Sequence, residues 1–109
     1  LRNENILIVG SGNVVHNLRK IKWEPEPAPY DWAIEFDEWV KMKIEASDHR
    51  PLITLATTTE AGRLSIPTVE HYLPFLYILG AATPADNYRF EYEGLENGSI
   101  SMRSISFGL

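Results

Sequence analysis

The sequence predicts an α/β fold, a central mixed β-sheet flanked by helices, and three observations carry that prediction. Ile6-Leu7-Ile8-Val9 is a continuous apolar run, rich in β-branched residues and closed by Gly10-Ser11-Gly12. Strands buried on both faces of a parallel sheet read this way. Trp32, Phe36, Trp39, Val40 and Ile44 recur at helical spacing, which marks an amphipathic helix over 31–46. Residues 89–93 and 99–107 alternate apolar and polar, as half-exposed strands do.

In chain order, the glycines at 10 and 12 let the backbone turn sharply after the first strand. The C-terminal end of such a strand is where open α/β folds bind ligands. Residues 14–21 read as a short helix or an irregular turn. Pro25, Pro27 and Pro29 exclude a regular helix or central strand and make residues 24–29 a surface loop. Asp31 is placed to cap the amphipathic helix, and the acidic run at 35–38 reads as its solvated face. The stretch 47–51 ends that helix. A short helix is expected over 52–57 and a turn over 60–63. Thr68 is expected to cap a largely buried helix running to Leu79, kinked or loosened in its first turn by Pro74. Residues 81–87 form a loop and 94–98 a turn. The alternation of the last segment breaks after Arg103, which suggests a bulge.

The 109 residues make one small domain or a piece of a larger one, with the 44% hydrophobic and 23% charged composition of a globular chain. Ten Lys and Arg against 15 Asp and Glu give a net charge of -5, which argues against a nucleic-acid or anionic-membrane binder. With no cysteine, disulfides, thiolate zinc sites and a cysteine nucleophile are excluded. A cytoplasmic location is expected. No apolar run approaches the ~18 residues of a membrane-spanning helix. The chain opens on Leu1, and 1–5 reads like the tail of a surface helix running into a strand, so residues are expected to precede it.

Three histidines are the candidates for chemistry: His16, His49 and His71. His16 follows the glycine turn, where side chains converge on a cleft. His71 opens the apolar helix beside Glu70. Neither has a short-range metal-binding spacing, so spacing alone leaves each open between a site residue and a hydrogen-bonded structural one. His49 lies in a polar break and reads as a surface residue. Gly10-Ser11-Gly12-Asn13 lacks both the dinucleotide fingerprint and the lysine of a phosphate loop, so nucleotide binding is not expected.

Three longer stretches are more specific. They are Ile8-Val9-Gly10-Ser11-Gly12-Asn13-Val14-Val15-His16-Asn17-Leu18-Arg19, the run from Pro67 through Glu70-His71-Tyr72-Leu73-Pro74 to Ala81, and Gly98-Ser99-Ile100-Ser101-Met102-Arg103-Ser104. Trp32-Ala33 and Phe36-Asp37-Glu38-Trp39-Val40 fall between the first and second stretches, in the expected order. In these stretches the whole chain resembles the C-terminal part, somewhat under half, of the DOPA-dioxygenase type of class III extradiol ring-cleavage dioxygenases.

The resemblance implies that residues 1–109 are the C-terminal portion of one larger α/β catalytic domain whose N-terminal portion is absent. It implies a non-haem metal, iron(II) for activity and zinc(II) as another metal such a site can hold. His16 would lie at the metal as the acid–base residue, and His71 would be a metal ligand, with neighbouring Glu70 the competing choice. Two further histidine ligands would come from the absent N-terminal part. The substrates implied are a catechol-type small molecule and O2. The chemistry suits these residue types: metal coordination lowers a phenol pKa, and a neutral imidazole takes the released proton and returns it. The rival expectation is a non-catalytic binding or scaffold protein on the same fold that has lost its metal, since fold does not fix function. On either reading the fragment alone should be inactive.

Overall fold

The computed structural model describes all 109 residues. Its helices are α1 (Asp31–Glu45), α2 (Arg50–Thr54), α3 (Glu60–Ser65) and α4 (Leu73–Ala81). Its strands are β1 (Tyr88–Tyr92), β2 (Leu95–Glu96), β3 (Ile100–Ser101) and β4 (Ser104–Phe107). Two short 3-10 turns, Arg2–Glu4 and Leu18–Lys20, precede them.

Helix α1 is the keel of the core. Ala33, Phe36, Val40 and Ile44 form its buried stripe, at the three- and four-residue spacing that keeps side chains on one face. Burying each of the three larger ones stabilises the fold by roughly 1.5–3 kcal/mol. Asp31, expected as the cap, is the first helical residue instead, and Tyr30 before it makes no side-chain capping bond. An acid in the first turn still favours the helix through its dipole. The expectation of a wholly solvated acidic face fails at one position, because Asp37 is buried.

The turn expected at 60–63 is helix α3. Thr59 caps it, its hydroxyl accepting from the Gly62 N–H at 3.1 Å, and Ala61 and Ser65 are buried where α3 packs on α1. Gly62 permits that contact. A Cβ there would overlap the Ala56 carbonyl oxygen and press on the Phe36 ring.

Helix α4 begins at Leu73 rather than after Thr68, and residues 70–72 form a turn before it. Pro74 therefore sits in the first turn, where no N–H is needed, and causes no kink. The helix is less buried than its apolar composition predicts. Only Leu79 is fully buried, and Tyr77 is 76% exposed. Before the helix, the buried Tyr72 hydroxyl donates to the Leu52 carbonyl at 2.6 Å and ties this segment to α2.

The α/β class holds, with its strands arranged as two antiparallel ribbons, β1 with β4 and β2 with β3, rather than as one mixed sheet. In the first ribbon Phe90 faces Ile105 and Tyr92 faces Ser104, so the bulge lies in β1, at Glu91, and not after Arg103 where it was expected. The break near Arg103 is the junction between β3 and β4. Residues 6–9, expected as a central strand, pair with nothing. Residues 6–12 neither donate nor accept a backbone–backbone hydrogen bond, and Leu7 and Val9 are 67% and 77% exposed. The run has strand composition, but no strand of the chain pairs with it to complete a ladder.

Candidate active site

The two histidines singled out from the sequence meet. The rings of His16 and His71 stack with centroids 3.6 Å apart and planes 18° from parallel. The backbone makes this juxtaposition. Asn13 N–H donates to the His71 carbonyl at 2.8 Å, and His16 N–H donates to the Ser65 carbonyl at 2.9 Å. Gly12 lies hard against the His71 carbonyl oxygen, where any Cβ would overlap it. The glycine turn is thus a close approach of one site loop to the other.

The loop carrying His16 is also stitched to β3. Asn17 N–H donates to the Ser99 carbonyl at 3.1 Å, and Ser101 N–H donates to the Val15 carbonyl at 2.9 Å. The Ser99 hydroxyl donates to the Asn17 carbonyl at 2.8 Å. His16 itself bridges Ile100 in antiparallel register. Asn13 and Asn17, which flank the histidine, spend their side chains on the loop: Asn13 Nδ2 donates to the Ser101 carbonyl at 2.7 Å, and Asn17 Nδ2 to the Leu64 carbonyl at 2.8 Å.

Burial lowers the His16 pKa from its ordinary value, and the neighbouring His71 lowers it further, against an opposing pull from Glu70. His16 is therefore neutral near pH 7. Hydrogen bonds from its own backbone and from Thr68, together with the two imidazoles, hold the Glu70 carboxyl below the ordinary range. His49 lies apart, its ring edge-on to Phe107 at 6.3 Å.

As metal donors, the pair is of the right kind and too few. Neutral imidazole nitrogens suit iron and zinc, but no group of three or more His, Asp or Glu side chains converges anywhere in the chain. The stack has a further consequence. Nitrogen lone pairs lie in the ring planes, so an ion in the plane of one ring lies well off the plane of the other. For both rings to face one ion, at least one must rotate.

The residues that sequence reasoning missed lie just behind this site. Asp37 and Arg103 form a buried ion pair, with Arg103 Nη2 to Asp37 Oδ2 at 2.6 Å and Nε to Oδ1 at 3.1 Å. The Ser101 hydroxyl donates to Asp37 Oδ1 at 2.6 Å. Glu93 adds a second carboxylate 3.0 Å from Arg103 Nη1, and the Phe90 ring lies 5.0 Å from the guanidinium carbon. Burial opposes the Arg103 charge, but these carboxylates prevail and hold its pKa above the ordinary value. A signal was present: 33, 37, 40 and 44 form a regular helical stripe, so Asp37 shares the buried face of α1. The apolar cleft along residues 6–10, Ile78 and Ile105 is a separate feature, lined by neither imidazole.

No family model matches the chain. It is similar to the Escherichia coli K12 protein named "4,5-DOPA dioxygenase extradiol", at 46% identity over 111 residues, covering 99% of this chain and 41% of that protein. A protein of the same name from Portulaca grandiflora is 28% identical over 109 residues, covering 98% of this chain and 40% of that protein. A crystal structure of an uncharacterized Escherichia coli K12 protein superposes with a TM-score of 0.87 at 46% identity, covering 96% of this chain and 44% of that one. The chain thus spans about two fifths of the length of the named relatives it matches.

Proposed function

We propose, on the premise that this chain is a homologue of the proteins named 4,5-DOPA dioxygenase extradiol, that it carries one wall of an active site that opens a catechol-type ring with O2. The observation that carries this reading is the stacking of His16 on His71, contributed by two motifs distant in sequence. His71 would hold a non-haem iron(II), and zinc(II) is the other metal such a donor set suits. The remaining ligands would come from polypeptide outside these 109 residues, because only two imidazoles meet here.

When bound, the ion supplies Lewis acidity that lowers the phenol pKa of the substrate. The chain's own part is proton handling. His16 would lie beside the ion, and burial and the neighbouring His71 lower its pKa and so favour its neutral form, so a ring nitrogen would accept a catechol proton and later return it. The bonds from Ser65, Ser99 and Ser101 to the backbone around His16 keep its ring in place during that transfer.

The test uses the intact protein loaded with ferrous iron under anaerobic conditions and then given catechol or DOPA with O2. Oxygen uptake and appearance of the ring-opened product are expected. His16→Ala should abolish turnover while iron content is kept, whereas His71→Ala should lose the iron. Absence of uptake with any catechol by the iron-loaded protein would instead favour the metal-free scaffold.

A further inference from the structure

We infer that Ser101, held by the buried Asp37–Arg103 pair, is a positioning residue for His16; the inference rests on the acid–base reading of His16 given above. The connection is continuous. Arg103 is 1% and Asp37 7% exposed at the side chain, so neither reaches substrate. Asp37 Oδ1 accepts from both Arg103 Nε and the Ser101 hydroxyl, and Arg103 N–H donates back to that hydroxyl at 3.2 Å. The Ser101 backbone then grips the site loop on the side before His16, through the Val15 carbonyl and the Asn13 side chain. Ser99 grips it on the side after, through Asn17. With the loop held on both sides of His16, this strand helps set where its ring meets His71.

The geometry explains why an ion pair is buried at this place. Replacing such a pair with apolar side chains is often neutral or stabilising, so burial of charge is weak evidence for stability. Here the pair fixes the lateral position of β3 against α1, at the strand that bridges His16 through Ile100. Loss of the Ser101 hydroxyl leaves both backbone bonds to the loop but removes the one direct bond from β3 to Asp37, so that only Arg103 still ties the segment to Asp37 of α1. A shift of about 1 Å at a reacting group can lower turnover by about a hundredfold.

The experiment compares Ser101→Ala with Ile44→Val, a core truncation near the C-terminal end of α1 that removes no hydrogen bond, in the intact iron-loaded protein with catechol as probe. Ser101→Ala is expected to lower kcat about tenfold or more, with iron content unchanged and KM within about twofold. By NMR, the nuclear Overhauser contact between the His16 and His71 rings should weaken in Ser101→Ala and persist in Ile44→Val. A Ser101→Ala protein with normal kcat and an undiminished ring contact overturns the proposal. So does an equal fall in kcat in both variants. If the wild-type protein consumes no O2, or His16→Ala retains turnover, the acid–base reading fails, and the ring contact alone then decides whether Ser101 positions His16.

Discussion

At the scale of single residues, the features that matter most are buried charge and ring contact. Asp37 neutralises Arg103 from inside the core, and removing one partner of a buried pair leaves the other charge stranded. Asp37→Ala is therefore expected to destabilise the fold by about 3–5 kcal/mol, read as a fall in the urea midpoint. Asp37→Asn should lose less, because an amide oxygen can still accept from Ser101. His16 and His71 were legible as candidates, since each stands in a distinctive local motif. Asp37 was not, because an acid amid other acids reads as solvent-facing until its helical phase is matched to Ala33, Val40 and Ile44. Its partner Arg103 lies beyond every other helix, and local periodicity carries no information about that meeting.

At the scale of elements, α1 and the terminal ribbon followed from periodicity, while α3 and the start of α4 did not. Six residues around a glycine have too little period to distinguish a helix from a turn, and burial against Phe36 and Ala56 decides the matter for α3. The loop from α4 to β1 is fastened by Asp86, which accepts from Arg2 at 2.6 and 2.8 Å and from the Thr83 N–H at 2.6 Å. These bonds hold the Asp86 carboxyl well below the ordinary carboxylate range, the Arg2 hydrogen bond being the largest cause. A depressed carboxyl pKa contributes stability that is complete above the unfolded value. That stability is lost as pH falls through the folded value. Urea midpoints should therefore drop as pH falls below about 4, and Asp86→Asn should flatten that part of the profile while lowering the midpoint at pH 7.

At the scale of the whole molecule, the chain has a well-packed side and an unfinished one. The apolar run 6–9 lies open with free backbone groups along residues 6–12. Exposed apolar strands of this kind template association. The 109-residue chain should self-associate in sedimentation velocity, and Leu7→Lys with Val9→Lys should reduce that association with little change in the urea midpoint, because both side chains are exposed. The same chain should bind ferrous iron weakly in anaerobic calorimetry, since two imidazoles make an incomplete donor set. Tight one-to-one binding would contradict the proposal that further ligands lie outside it. No helix is long and apolar enough to cross a membrane.

The sequence by itself determined whatever depends on neighbours a few positions away: the stripe of α1, the proline loop, the terminal strands, the absence of thiol chemistry, and two histidines set in recognisable motifs. Tertiary structure alone decided that the two rings stack, that Asp37 turns inward to Arg103, and that the strand-like run at 6–9 has no strand beside it. The physical reason is range. Helical and strand periodicity arise from backbone geometry within a few residues, whereas ring stacking, charge pairing and ladder completion depend on which distant segments the packed core brings within a few ångströms.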